Sequence, residues 1–430
     1  MPRPLLVFDV SPLSGGVAGT GDRGGIFWVT FNLLKQFAVD GRFETSLYCE
    51  PEGIYNAQKF LEQNFPAALK LEFINKTQDN FFARRQTYYK TRKNFYGHTK
   101  KPLKKLLCDC AGGICKVLCV LVAARRAGWK KRAAETDLFF SSGRAAAPAF
   151  ARNKKIKKFT MLYDTIPFSC PGLYKNKNKK FLRLVRSLNK NDFYFADSDS
   201  ARFDFLKYAP AIDPKKIKTA LLASNMPYVK ITDGEVISRV KEKYKIPPDK
   251  KYILSVSTLD PRKNMMFAVT GFLNFIKKNN IKDLVFVLAG AHYESFAARI
   301  KNLPSALRGL EDRIITAGYV DDVDMNAIYS GAEIFVFPSL YEGFGMPILE
   351  AMQSGVPVIC SNTSSMPEVI GDAGIMIDPQ KEEALVAALE KIYFNGDLGK
   401  ILSEKGLERA KQFTWEKTAA VILDGMSGVI

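Results

Sequence analysis

Histidine is nearly missing from this chain, with His98 and His292 the two examples in 430 residues. Imidazole triads and histidine-rich metal sites are therefore poor explanations of whatever chemistry it carries. A convincing membrane span is missing too. The best candidate, 19 residues from Leu106 to Ala124, carries Asp109, Lys116 and the Gly112-Gly113 pair, which makes it weak. No internal repeat or long low-complexity tract appears. No secretory signal is legible either: Pro4-Leu-Leu-Val-Phe-Asp-Val10 is too short and reads as a first strand. A disulfide framework is not expected. The seven cysteines are an odd number, four of them at 108, 110, 115 and 119, which in a chain this long points to reduced thiols in a cytosol.

Acidic residues are scarce in one stretch only. Residues 81–220 hold 33 Lys and Arg against 9 Asp and Glu, a net +24, whereas residues 221–430 hold 23 basic and 26 acidic residues, a net −3. The plain explanation of the cationic part is a solvated, solubilising face; the sharper one is a surface for anionic lipid or another polyanion. Within it, a helix over 100–132 would put Leu103, Leu106, Leu107, Cys110, Ile114, Val117, Leu118 and Leu121 on one face, opposite Lys104, Lys105, Asp109 and Lys116. Such a helix could lie along an anionic leaflet or pack within the first domain, and the pattern leaves both open. On it Cys108 and Cys119 would stand about 16 Å apart, too far for one zinc, so packing thiols are expected.

With 47% hydrophobic residues, a chain of this length can bury two cores. From 251 onward short apolar runs alternate with helical patterns: Tyr252–Ser257, Val285–Ala289, Ile314–Thr316, Ile334–Phe337 and Val356–Ile359. That alternation predicts a parallel sheet with right-handed crossovers and a ligand beyond the carboxyl ends of its strands. The chain opens in the same order, with strand Leu5–Val10, a glycine-rich loop Ser14–Gly25 and helix Val29–Phe37, then a second strand at Thr45–Cys49. The polar stretch Asp233–Lys251 is the expected connection between domains.

The most informative frame is Glu342-Gly-Phe-Gly-Met-Pro-Ile-Leu-Glu350, at a strand-to-helix junction. Two glycines there let backbone N–H groups approach an anion, and the helix N-terminus adds a favourable field. The flanking carboxylates suit the hydroxyls of a sugar or ribose. A diphosphate bracketed by polyols is a nucleotide sugar. Upstream, Val256-Ser-Thr-Leu-Asp-Pro-Arg262-Lys263-Asn264 places Arg262 and Lys263 straight after a buried strand, as a cationic clamp for a diphosphate. Asp321-Asp322-Val-Asp324 and Asp197-Ser-Asp199 spell an Asp-x-Asp pattern. Each falls where a helix should begin, so capping is expected and a metal site is not. Gly19-Thr-Gly21-Asp-Arg-Gly24 spells a dinucleotide fingerprint but starts nine residues past its strand. A flexible loop ending Arg23-Gly24-Gly25-Ile26 is the better reading.

Together these segments resemble the family 4 retaining glycosyltransferases, whose paired-glutamate signature the 342–350 frame matches. Leu284–Gly290, Gly318-Tyr319-Val320 and Val356–Cys360 match that family's next strands in order. Residues 251 to about 415 are covered closely and residues 1 to about 220 in patches. The resemblance implies an α/β fold of two Rossmann-like domains facing across a cleft, the GT-B architecture. It implies an acceptor-binding domain over 1–225 with a basic, membrane-facing insertion near 81–135, and a nucleotide-sugar domain over 226–410. Residues 411–430 would form a last helix crossing back to the first domain. Donor binding would fall to Gly24, Gly25, Gly290, Val320, Gly343, Phe344, Gly345 and Glu350, and catalysis to Asp164, Glu342, Arg262 and Lys263. Tyr163-Asp164-Thr-Ile-Pro167 resembles the family's His-Asp-x-Ile-Pro segment with tyrosine at the histidine position. A phenol with a pKa near ~10 is a poor base near neutrality, so Asp164 carries over more directly than Tyr163.

The implied activity is retaining hexosyl transfer, without metal or cofactor, in bacterial surface-polysaccharide synthesis (lipopolysaccharide or capsule). The implied donor is GDP-mannose, with a UDP-hexose close behind. The acceptor would be a glycan or polyprenyl-linked glycan, met by a cytoplasmic protein peripheral to an anionic membrane, with no nucleic acid partner. Two alternatives stand beside this reading. One is a catalytically silent sugar-nucleotide-binding subunit. The other is a basic nucleic-acid-binding protein, which would leave the glutamate frame unexplained.

Overall fold

The computed structural model of the chain describes residues 2–15, 24–75, 85, 89, 108–115, 117–118, 128–173, 179–258, 260–290, 296 and 299–430. Two six-stranded, wholly parallel sheets organise it. The first contains β1 (Leu5–Asp9), β2 (Glu44–Tyr48), β3 (Leu138–Ser142), β4 (Lys157–Leu162), β5 (Phe193–Ala196) and β6 (Ile217–Thr219), in the order β2-β1-β3-β4-β5-β6. The second contains β7 (Lys251–Val256), β8 (Leu284–Ala289), β9 (Ile314–Gly318), β10 (Ile334–Phe337), β11 (Val358–Ser361) and β12 (Gly374–Ile377), in the order β12-β11-β10-β7-β8-β9. These are the two Rossmann-like domains the sequence leads one to expect. Strands covered on both faces read as unbroken apolar runs, and every residue of β8 and β10 is buried.

In the second sheet the strand order reverses between β7 and β10, so their carboxyl ends open the crevice where such sheets hold ligands. Arg262-Lys263 follows β7 and Glu342 follows β10. Strand limits differ from the sequence reading by a residue or two. The run from Val356 starts as a strand only at Val358, because Pro357 has no N–H for the ladder.

Asp233–Lys251 is not a linker. The Asp233 carboxylate accepts from the N–H of Glu235 (2.9 Å) and Val236 (3.4 Å) and starts the helix Gly234–Lys243. The chain has already reached the second domain at Val229, whose N–H donates to Asn326. Neither Asp-x-Asp segment caps as expected, although each opens a helix. Ser198, not an aspartate, caps Asp199–Tyr208 by accepting from the Ala201 N–H, and Asp321 and Asp324 instead hold Lys243 at 2.8 and 2.5 Å.

The last helix, Trp415–Ser427, lies against the first domain. The Trp415 indole N–H donates to the Ser224 carbonyl (2.8 Å), the Thr418 hydroxyl donates to the Leu221 carbonyl (2.6 Å), and Asp424 pairs with Arg42. Most of 100–132 falls outside the described residues, as do Cys119, His98, His292 and the loop through Arg23. Helical turns at 108–115, 117–118 and 128–134 are described, and Ile114 and Val117 are exposed. Cys108, Cys110 and Cys115 are free thiols. Among the described residues no helix is long and apolar enough to cross a membrane.

Candidate active site

The loops leaving β7 and β10 meet over a single carboxylate. Asp260 starts a one-turn helix at Pro261–Lys263 by accepting from the Arg262 N–H, and that turn aims two cations at the β10 loop. Lys263 Nζ lies 2.7 Å from Glu342 Oε1 and Arg262 Nη1 lies 2.5 Å from Glu342 Oε2. The Ser339 hydroxyl donates to Glu342 Oε1 (2.6 Å), and Arg262 Nη1 also donates to the Tyr341 carbonyl (2.7 Å). The Lys263 ammonium sits 4.9 Å from the centre of the Phe337 ring. Arg262 Nε also lies 3.9 Å from Asp260 Oδ1, so at the crevice end of the sheet the two cations face two carboxylates, Glu342 held closely and Asp260 at the limit of an ion pair.

Arg262 and Glu342 are buried and Lys263 and Asp164 half-buried, and withdrawal from water acts in opposite directions on the acids and the ammonium. It works to raise the Glu342 carboxyl, yet Lys263, Arg262 and the Ser339 hydroxyl together hold it below the usual glutamate value. Burial lowers the Lys263 ammonium, with Glu342 opposing. Burial raises Asp164 of the first domain, against the Ile166 N–H that donates to it at 3.0 Å and the nearby Arg262.

The glycines between the glutamates have separate reasons. Gly345 has φ of +107° as it starts the helix Met346–Gln353, a conformation side chains resist. Gly343 is a point of contact between domains. A Cβ there would meet the Tyr163 carbonyl oxygen at 2.7 Å, Asp197 Oδ2 at 3.0 Å and Asp164 Cβ at 3.1 Å. Other bonds close the same seam. The Ser198 hydroxyl donates to the Gly343 carbonyl (2.7 Å), and the Tyr341 hydroxyl donates to Asp204 (2.6 Å). Glu368 accepts from the N–H groups of Asp199 and Ser200, both at 2.7 Å.

Glu350 faces a different space. With Gly290, Val320 and Asp322 it lines a cavity of about 210 Å³ that Trp28 closes from the first domain. Tyr329 donates to Glu350 Oε2 at 2.9 Å, yet burial still pushes the Glu350 carboxyl up to about 7.

Arg262, Lys263, Glu342, Gly343 and Asp164 thus come together, and Glu350, Gly290 and Val320 come together beside them. The Phe344 side chain leaves the cleft for the core, packing edge-on to Phe413 with ring centres 5.9 Å apart. Gly24 is exposed and precedes the helix Gly25–Val39. Tyr163 is half-buried with its hydroxyl bonded to Ser142 inside the first domain, and its removal from water raises its already high pKa. Sequence reasoning missed Ser339, Trp28, Asp197 and Tyr341. Ser339 was findable, standing at the end of β10 three residues before Glu342; Trp28 sits on a helix with no motif to mark it.

Set against known proteins, residues 236–409 match the family described as glycosyl transferases group 1. The chain is 32% identical over 261 residues to O-antigen chain mannosyltransferase B of Escherichia coli, a match covering 60% of this chain and 66% of that protein. It is 27% identical over 277 residues to serotype-specific mannosyltransferase WbdA of Escherichia coli, covering 64% of this chain and 34% of that one. The chain therefore spans between a third and two thirds of these relatives' length. Among solved structures, Anabaena HepE in complex with UDP and glucose is similar at TM-score 0.65 and 16% identity, covering 99% of this chain and 100% of that one. WaaG, a glycosyltransferase involved in lipopolysaccharide biosynthesis, is similar at TM-score 0.58 and 14% identity, covering 97% and 98%.

Proposed function

The second domain, over residues 236–409, belongs to the glycosyl transferases group 1 family, and on that premise we propose that the chain is a retaining, metal-independent mannosyltransferase of surface-polysaccharide synthesis. The observation that carries this is the Lys263–Glu342–Arg262 cluster at the switch point between β7 and β10. A donor diphosphate entering there draws Lys263 and Arg262 from Glu342 toward its own charge, and the backbone at 343–345 supplies N–H groups. Glu342 then turns to the hydroxyls of the transferred sugar, and Glu350 accepts from the ribose. The anomeric carbon–oxygen bond to phosphate breaks as the acceptor oxygen bonds on the same face. The acceptor's proton passes to the departing phosphate oxygen, so no strong protein base is required. The cations supply the charge stabilisation a divalent metal gives elsewhere.

GDP-mannose is the proposed donor. The mannosyltransferase relatives support the sugar. Asp322 in the Glu350 cavity supports the base. Its carboxylate only accepts, matching the adjacent N–H donors of guanine better than the lone N–H of uracil between two carbonyls. The proposed acceptor is a glycan or polyprenyl-linked glycan at an anionic membrane surface, met from the cytoplasmic side. The test supplies GDP- and UDP-sugars with membrane extract and follows nucleotide release. GDP release that persists in both Lys263→Ala and Glu342→Gln rejects the site, and release of UDP alone rejects the base.

A second reading is a silent sugar-nucleotide-binding subunit. Tyr163 favours it, since its hydroxyl is turned away to Ser142. Mannosyl transfer or donor hydrolysis by the purified chain eliminates that reading.

A further inference from the structure

The first domain has a second cavity that the transfer reaction does not use. It measures about 600 Å³ and is lined by Lys154, Lys157, Lys158, Asn191, Asp192 and Lys216 among others. Its place follows from topology. Lys157 begins β4, Asp192 immediately precedes β5, and Lys216 immediately precedes β6, and these three strands are parallel neighbours. The lysines therefore gather at the amino ends of strands whose carboxyl ends lead to Asp164 and Asp197 at the cleft. β4 alone separates the two ends by six residues, roughly 18 Å at the rise of an extended strand.

The charge at that end is lopsided. The segments 152–158, 186–192 and 213–218 converge on it with ten Lys and Arg against two Asp. One of those acids, Asp192, is already held by Lys158 (3.4 Å) and by the Asn189 amide (2.7 Å). Lys158 is spent internally, donating also to the Asn153 and Ile156 carbonyls. Among the described residues Lys216 donates to the Asn191 carbonyl alone, with its ammonium 4.8 Å from the Phe193 ring centre. Among the described residues no carboxylate pairs with Lys154, Lys157 or Lys216. Three ammonium groups around a roomy cavity are left uncompensated, an arrangement that recruits a multiply charged anion.

We propose that this cavity binds phosphate headgroups of an anionic membrane, mooring the first domain by the end opposite the cleft. The inference deepens the membrane-surface reading above and rests on it. It also constrains the acceptor. A cleft standing at least a strand's length off the lipid plane is reached by the far end of an extended glycan, not by a sugar attached directly to its lipid.

The test floats the full chain with phosphatidylglycerol vesicles and with phosphatidylcholine vesicles. It compares wild type, a cavity triple variant (Lys154→Glu, Lys157→Glu, Lys216→Glu) and a charge-matched triple on other first-domain surface (Lys59→Glu, Lys70→Glu, Lys179→Glu). Donor-nucleotide binding by each variant verifies folding, and a milder Lys154→Gln/Lys157→Gln pair stands in if the triple misfolds. Wild type and the matched triple are expected to float with phosphatidylglycerol only, and the cavity triple to bind at least about tenfold more weakly, as lysines at an anionic surface predict. Equal binding by the two triples overturns the cavity while sparing the membrane reading. A wild type that ignores anionic vesicles overturns both. Thermal stabilisation of wild type, but not the cavity triple, by inorganic phosphate without any flotation would also overturn it, reassigning the cavity to a soluble phosphate.

Discussion

The two domains share one architecture and use it in opposite ways. Each is a six-stranded parallel sheet. In the second, the chemistry sits in short contiguous motifs immediately after β7 and β10, and the domain's charge is balanced. In the first, cations are spread over three segments remote in sequence and brought together only by folding. On the proposed reading, a diphosphate is small and the same in every sugar nucleotide, so one loop and one helix start would hold it, whereas a glycan at a membrane, large and variable, would need extended surface.

The strongest way to break this comparison is to strike the second domain's cluster. Lys263→Ala should lower kcat by about a thousandfold, the scale of removing one preorganised charge donor from a transition state. Glu342→Gln should act similarly while leaving Lys263 and Arg262 facing each other without their shared carboxylate. Measured as GDP-mannose turnover, both losses should appear with the fold intact by circular dichroism. A loss under tenfold for Lys263→Ala would show the cation to be structural.

Next in size is the seam. Gly343→Ala drives a methyl onto the Tyr163 carbonyl, backbone that cannot step aside. The domains must part, and misplacing the reacting groups by an ångström costs about a hundredfold. GDP binding by the second domain should survive, so kcat/KM should fall with nucleotide affinity unchanged. Equal activity would mean that transfer does not need this closure.

The same contrast explains what was legible in the sequence. Arg262-Lys263 and the glutamate frame were readable because each sits within a few residues of the strand that aims it. Gly343 was readable as a glycine for a diphosphate approaching its N–H, but its second reason was not: a Cβ there would meet the other domain's backbone at the Tyr163 carbonyl. Asp197 looked like half of an Asp-x-Asp pattern, and its burial against Gly343 depends on packing between residues about 150 apart. Trp28 has no local signature, since it lines the Glu350 cavity only because the domains fold together. β12 went unread although Ile375-Met376-Ile377 is apolar, because it is only four residues long and opens on Gly374, too short a run to tell from a loop.

A smaller effect separates donor binding from catalysis. Glu350 holds its proton in the folded chain up to about pH 7, whereas unfolded it loses it near the ordinary glutamate value of 4.5. Between those values the folded state binds the extra proton, so stability from this group declines as pH rises through the window and is flat above it, by roughly 3 kcal/mol in all. Ribose hydroxyls want the carboxylate, so GDP affinity should climb about tenfold from pH 6 to 8. In Glu350→Gln both slopes should vanish, read by calorimetry and by thermal melts across that range. A wild type with GDP affinity flat over pH 6–8 would remove Glu350 from the ribose.

The smallest effect concerns whether the domains are one cooperative unit. Trp415 anchors the returning helix through its indole N–H on the Ser224 carbonyl, and Trp415→Phe keeps an aromatic ring while deleting that donor. The carbonyl is left without its partner in a half-buried place, so the cost should be about 1 kcal/mol. Asp424→Ala removes the ion pair with Arg42 on the same helix, but the aspartate side chain is 71% exposed, and its change in melting midpoint should fall within scatter. The informative readout is the shape of the transition. If the helix couples the domains, Trp415→Phe should broaden or split a single melt, with the donor domain, stabilised by added GDP, unfolding last. A sharp, single transition that GDP shifts as a whole in both wild type and variant would mean that the seam at Gly343, Tyr341 and Glu368 couples the domains without help from the last helix.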